Sequence, residues 1–471
     1  MKKKILFFAA ALLGVCNAYA VVDWDGTSIA WTEGEGTAVS PYIISSPSHL
    51  AYLASQVNAG TTYSGAYFKQ TQDFNLQNKT RSAIGTDTYP FEGVYDGGEK
   101  YISDMYSSTT LFEYINNAEI KNLTIKGSST LGVGASLVGN TTGDCTLTNC
   151  HNQCNVSSAM VSCGGLVREA KGTRIALILC SNTGNCGTTN SSKVDTSAGG
   201  LIGKTSCDNT YISQCFNSGT ISSYYVSGYS YYNYTSGDFI GNSRSTKSAL
   251  IEKSYSTGTS YNFFVGLNYG NENNNNITIK GCYSKGNYTV EKNCYDASFT
   301  YFKTLCCYFV GNVTVSGSCS QGMTSDLEWN AQTCYVPYNS IIRGNNIAVE
   351  LMKDKWFLSQ INVLDEYFTM DLEGINDGYP ILKWQAGTRY TITATCDANR
   401  GTVTGGGEYP NGYTATLTAT PKPGCTFVGW SDGETANPRY INVAGEATYT
   451  AQFTKSSYTI YINQDCTSNI E

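Results

Sequence analysis

A recurring unit in the middle of the chain limits its fold more than any other feature. Each copy has an apolar anchor beside glycine, a polar turn, an alternating segment, and a small residue shortly before a closing turn. The copies are SLVGNTTGDCTLTNCHNQC from Ser136, GLVREAKGTRIALILCSNTG from Gly165 and GLIGKTSCDNTYISQCFNSG from Gly200. DFIGNSRSTKSALIEKSYSTG from Asp238 and FFVGLNYGNENNNNITIKGCYSKG from Phe263 follow, with a degenerate YFVGNVTVSG from Tyr308. The anchors Leu137, Leu166, Leu201, Phe239, Phe264 and Phe309 lie 29, 35, 38, 25 and 45 residues apart. Uneven spacing around strand-like ends predicts a β-solenoid, in which loops vary while core strands keep their register.

Helical repeats would need ten or more residues with apolar spacing of three and four, and no copy offers that. In TYISQCF the alternation puts Ile212 on one side and Tyr211 on the other. Composition agrees: 36 Tyr, 48 Gly and only 14% charged residues suit strands broken by turns. A net charge of −7 without a basic stripe excludes nucleic acid as a partner.

The closing segments read CHNQC from Cys150, CSNTG from Cys180, CFNSG from Cys215, SYSTG from Ser254 and CYSKG from Cys282. Stacked coils place equivalent positions about 4.8 Å apart. Cys150, Cys180, Cys215 and Cys282 are therefore a ladder of small buried residues, with serine in the same column at 254. Leu137, Leu166, Leu201, Phe239 and Phe264 form the companion apolar column. Export permits disulfides, but 17 cysteines remain beyond Cys16, an odd number, and spacing assigns no pairing. Cys207 matches only Cys145 in the alignment and has no evident role.

The unit resembles the GLUG-motif repeats of bacterial cell-surface proteins, matched best at GLIG (200–203) with ISQCFNSGTI behind it. The second copy departs at Arg168, and Asp238 replaces the first glycine of another. The resemblance implies an all-β protein: a right-handed parallel β-helix with an N-terminal helical cap. SPSHLAYLASQVNAG predicts that cap helix, with Ser46 as N-cap, Pro47 at the first position, and Leu50, Leu53, Ala54 and Val57 on one face. It precedes FEGVYDG (91–97), as in the GLUG-type surface proteins of gut-dwelling Gram-negative anaerobes. VELMKDKWFLSQINV predicts a second short helix, and NDGYPILKW (376–384) resembles the family's closing strand.

From Tyr390 the texture changes to Thr-rich alternation broken by Gly and Pro, which predicts a small antiparallel domain of about four strands. TLTATPKPGCTFVGWSDG resembles the divergent internalin-type B repeat, a β-grasp-like module in which Trp430 would be a core aromatic. The organisation expected is a signal peptide at 1–20, cap and first rungs at 21–110, GLUG-like β-helix at 111–320, closing segment at 321–387, B repeat at 388–455, and the start of a truncated second repeat at 456–471. Lys2 to Lys4, an apolar run and Ala18-Tyr19-Ala20 imply export with cleavage after Ala20; Cys16 offers a lipoprotein alternative. No later stretch is long and apolar enough to span a bilayer.

Nothing in the sequence assembles a catalytic set. The nine acidic residues between 140 and 320 do not recur in one column, whereas glycosidic cleavage needs two carboxylates at a set separation. His49 is expected on the surface of the cap helix. His151 inside CHNQC lacks the paired spacing of a zinc site, and no metal or cofactor is expected. The remaining clue is SSYYVSGYSYYNYTSG (222–237), where Tyr224, Tyr225, Tyr229, Tyr231, Tyr232 and Tyr234 could face a glycan or protein ligand, or stiffen the surface. The expectation is a non-enzymatic, adhesin-like protein secreted or held on the outer envelope of a Gram-negative bacterium. A β-helix polysaccharide lyase or hydrolase and a purely structural stalk are the alternatives.

Overall fold

The computed structural model describes residues 21–127, 130–159, 162–189, 196–222, 235–243, 248–258, 260, 265, 276–284, 288–291, 302–305, 308–309, 313–316, 335–336, 345–346, 353–362 and 367–455. The chain divides into two compact units, residues 1–351 with 359–365, and 352–358 with 366–471.

The first unit is a β-helix-like stack of parallel strands. One coil runs from Leu166 through Val167–Ala170, Arg174–Ile178, Ser181–Asn182 and Cys186–Thr188 to Ser197–Gly199. Val167 pairs with Val138 below and Ile202 above, and Ile202 pairs with Ile240. Leu177 sits between Leu147 and Ile212, which itself pairs with Ile251. The longer coils add residues to the sequence between Thr188 and Ser197 and between Ser222 and Thr235, while the described strands on either side keep their pairs. This is how uneven repeat spacing coexists with strict register. Alternation sends Ile175, Leu177, Ile212 and Ile251 into the core while Tyr211 stays partly exposed. Each such buried aliphatic side chain contributes about 1.5–3 kcal/mol.

Among the described residues a corner recurs at one position of successive coils. Asn122, Asn149, Leu179, Gln214, Lys253 and Gly281 all have φ between 53° and 58°. Register aligns them, since Leu123 pairs with Cys150 and each corner directly precedes that column. Asn and Gly adopt this left-handed backbone cheaply; a branched chain such as Leu179 does so only because neighbouring coils hold it.

Helix Pro47–Asn58 buries Leu50, Leu53, Ala54 and Val57 in the stack's core, the face its sequence periodicity marks. Ser46 is extended at the N-cap but makes no side-chain cap. His49, expected on the surface, is partly buried, its Nδ1 accepting the Ser45 N–H at 3.3 Å. Among the described residues no helix is long and apolar enough to cross a membrane.

The second unit contains a short antiparallel pair, Phe368–Thr369 with Ile381–Leu382, and helix Lys355–Ile361 starts in it. Seven strands follow in two sheets. One holds Gly407–Pro410, Arg389–Cys396, Ala447–Lys455 and Cys425–Trp430; the other holds Gly401–Thr404, Thr414–Pro421 and Arg439–Asn442. Against the expectation of about four antiparallel strands, Arg389–Cys396 and Ala447–Lys455 pair in parallel. Alternation reports which face is buried and is blind to the direction of the partner strand.

Candidate functional site

Cysteine is the most reactive residue type of the repeat, so its placement decides whether the repeat carries chemistry. Cys150, Cys180, Cys215 and Cys282 are all fully buried, and among the described residues every cysteine is a free thiol. Each thiol of the column donates to the carbonyl two residues back: Thr148 at 3.5 Å, Ile178 at 3.3 Å, Ser213 at 3.2 Å and Lys280 at 3.4 Å. The chain bends at the intervening left-handed residue, and the thiol satisfies a carbonyl the bend leaves over. Ser254 performs the same task with its hydroxyl on Glu252 O at 2.7 Å. The backbone N–H of Cys180 in turn donates to Cys215 Sγ, and that of Cys215 to Ser254 Oγ at 3.0 Å. Burial pushes the Cys150 and Cys215 thiols well above their ordinary range. Nucleophilic or metal-binding cysteine needs the thiolate, which burial disfavours at Cys150 and Cys215. At Cys180 burial acts the same way, but hydrogen bonds with the Cys150 and Cys215 thiols outweigh it and lower the pKa inside a fully enclosed column.

Two residues beyond lies an asparagine ladder that the cysteine alignment contains but does not reveal. Asn152 Nδ2 donates to Asn182 Oδ1 at 2.7 Å, and Asn182 Nδ2 to Asn217 Oδ1 at 2.8 Å. All three are fully buried, and each also donates to the carbonyl two residues ahead. The ladder accounts for the glycine of the anchor: a Cβ on Gly200 would lie 2.1 Å from Asp238 O and 2.6 Å from Asn217 Oδ1. Where Asp238 takes that place, the ladder residue of its coil is the smaller Ser256, paired with Asn217. The glycine closing CFNSG has its own reason, since a Cβ on Gly219 would stand 1.9 Å from Gly184 O.

The apolar column is equally inward. Leu137, Leu166, Leu201 and Phe239 are fully buried; Phe264 lies outside the described residues. Cys207 and Cys145 are both buried, yet they are not counterparts. Cys145 pairs with Ile175, which pairs with Thr210, so Cys207 stands three residues earlier in its coil. Burial pushes both thiols up to about 11.

His151 points away from the Cys150 column. Its Nδ1 lies 2.9 Å from Ser181 Oγ and its Nε2 3.0 Å from Asn149 Oδ1, and burial lowers its pKa. Both ring nitrogens are therefore engaged within the stack. Acidic residues pair singly with neighbours: Asp144 with Arg174, Glu169 with Lys171, Glu113 with Arg168. Arg168, where the second copy departs from glycine, is thus part of an ion pair across coils. Among the described residues, no group of three His, Cys, Asp or Glu is placed to hold a metal.

The outward column beginning at Tyr101 passes through Thr124, His151, Ser181, Phe216, Tyr255 and Tyr283, and the backbone register extends it to Tyr308 and Tyr335. Phe216 and Tyr255 stack at 5.3 Å and 6° between planes, Tyr255 and Tyr283 at 5.1 Å and 4°. Tyr255 and Tyr283 are buried, so these rings stiffen the stack rather than face solvent. Tyr224, Tyr225, Tyr229, Tyr231, Tyr232 and Tyr234 lie outside the described residues.

In the second unit Trp430 is buried among Ile392, Leu417 and Phe453, its Nε1 donating to Ala436 O at 2.9 Å. It packs rather than presents a stacking face. Residues 390–457 match the family described as the divergent InlB B-repeat domain. No curated protein matches the chain. Among solved structures, one from Bacteroides ovatus, described as a "putative immunoglobulin A1 protease", is similar with a TM-score of 0.46 and 16% identity, covering 74% of this chain and 94% of that one.

Proposed function

We propose that this chain is a non-enzymatic, adhesin-like protein, exported to the outer envelope of a Gram-negative bacterium, that binds host or dietary glycans or proteins. The observation that carries this reading is the fate of the repeated residues. Cysteine, asparagine and the anchor aliphatics all end inside the stack, hydrogen-bonded or packed against equivalent residues of the next coil. Repetition thus serves architecture, and ligand contact falls to surface that varies between coils. On this reading the stack is a right-handed GLUG-type β-helix, helix Pro47–Asn58 is its cap, and the β-grasp-like B repeat is a spacer of the kind found on bacterial surfaces. Cleavage after Ala20 would release the mature chain.

The test is a glycan and mucin binding array run beside a reducing-sugar release assay. Binding without release supports the adhesin; release of reducing sugar would replace it with a lyase or hydrolase. Silence in both assays would favour a structural stalk, the role that the stacked rings of Phe216, Tyr255 and Tyr283 suit.

A further inference from the structure

An open groove of about 620 Å³ runs over the outer face of the first coils. Its floor is an in-register column that descends through Asp23, Asn75, Ser103 and Lys126, with Gln153 next below. The residues immediately before Asn75, Ser103, Lys126 and Gln153, namely Phe74, Ile102, Ile125 and Asn152, form the adjacent column, point inward and are fully buried, which turns this column to the opposite face. Tyr101 and Asp104 flank it, and the Lys126 ammonium lies 3.1 Å from the centre of the Tyr101 ring. The side chains of Asp23, Asp104 and Gln153 hydrogen-bond to nothing else among the described residues, unlike the ion-paired acids of the later coils.

We propose that this groove binds an uncharged oligosaccharide lying along the stack axis. The inference rests on the glycan-binding reading above and gives it a location away from the tyrosine-rich segment 222–237. Carboxylates and amides free of internal partners are the groups that accept from and donate to vicinal hydroxyls. Asp23 stands at one end of the column and Gln153 at the other, with coils about 4.8 Å apart between them, so an extended ligand spans both. The apolar part of the lining is confined to Val21 and the Tyr101 ring, too small a patch to seat a lipid chain. Its charge is two carboxylates against one ammonium, joined by the Val21 α-ammonium when the leader is cleaved after Ala20. With either terminus there is no excess of positive charge to hold a polyanion.

The experiment is calorimetric titration of the full secreted chain with cellohexaose, mannohexaose and maltohexaose, with oligogalacturonate as the charged control. At least one neutral hexasaccharide binds and the anionic one does not. Asp104→Asn and Gln153→Ala each weaken that binding by about tenfold without moving the melting midpoint, because each removes contacts made only by the ligand. Asp104 has a φ of 50°, a conformation asparagine tolerates, so the substitution preserves the backbone. Replacing Tyr224, Tyr225, Tyr231 and Tyr232 by serine leaves the affinity unchanged. Wild-type affinity in both groove variants, preference for oligogalacturonate, or no binding by any neutral hexasaccharide would overturn the proposal. If the tyrosine replacements alone abolish binding, the groove is wrong and the adhesin reading survives. Reducing-sugar release would instead remove the adhesin reading.

Discussion

The stack and the second unit solve one problem, burying strand faces, by different means. In the second unit a single cluster around Trp430 closes two sheets, and each residue of it has its own partner set. In the stack the partner of a side chain is usually its own kind one coil away, as Asn182 is to Asn152 and Asn217. A local core concentrates stability in a few large side chains. A columnar core spreads it thinly and makes each position depend on the coils above and below.

That contrast sets the expected sizes of effect. Trp430→Ala removes the largest fully buried side chain among the described residues and should cost the second unit about 3–5 kcal/mol, read as loss of its own unfolding transition in a scanning calorimeter. The stack's transition should persist; simultaneous loss of both would mean the units do not melt independently. Asn182→Ala should cost about 2–3 kcal/mol, because it strips partners from Asn152, Asn217 and Gly184 O at once. Hydrogen exchange should rise at the coils on both sides of residue 182, and a change confined to one coil would break the columnar account.

The smallest effect is electrostatic. Arg439 hydrogen-bonds both oxygens of Asp432 and holds its carboxyl down at about 2, against an ordinary 3.8. A depressed carboxylate stabilises above the ordinary value and loses that contribution as pH falls through about 2. Asp432→Asn should therefore flatten the acid limb of the second unit's stability between about pH 4 and 2, slightly, because the pair is solvent-exposed. An unchanged acid limb would show that the pair contributes nothing.

How much of this was legible in the sequence follows from the same contrast. The anchor and cysteine columns are visible because their occupants repeat by type. The left-handed corner is not, since Asn122, Asn149, Leu179, Gln214, Lys253 and Gly281 share a backbone angle and no chemistry. The asparagine ladder is hidden for another reason: in a Gly-, Ser- and Asn-rich stretch, Asn182 reads as turn until its position two residues after each cysteine is noticed. Helix Pro47–Asn58 is legible from its 3.6-residue apolar stripe. The parallel pairing of Arg389–Cys396 with Ala447–Lys455 is not, because pairing direction lies in topology. The groove residues Asp23, Tyr101, Asp104 and Lys126 belong to no repeat, and only register gathers them.

Whether cysteine in this repeat is architecture or chemistry is tested most directly at Cys215. Thermal unfolding of Cys215→Ser should fall within about 1 kcal/mol of the native chain, because a hydroxyl keeps the donor to Ser213 O as Ser254 does to Glu252 O. Cys215→Val, which keeps the volume and loses the donor, should melt earlier than the serine variant. A serine variant that loses the stack altogether, or melts below the valine one, would contradict the account.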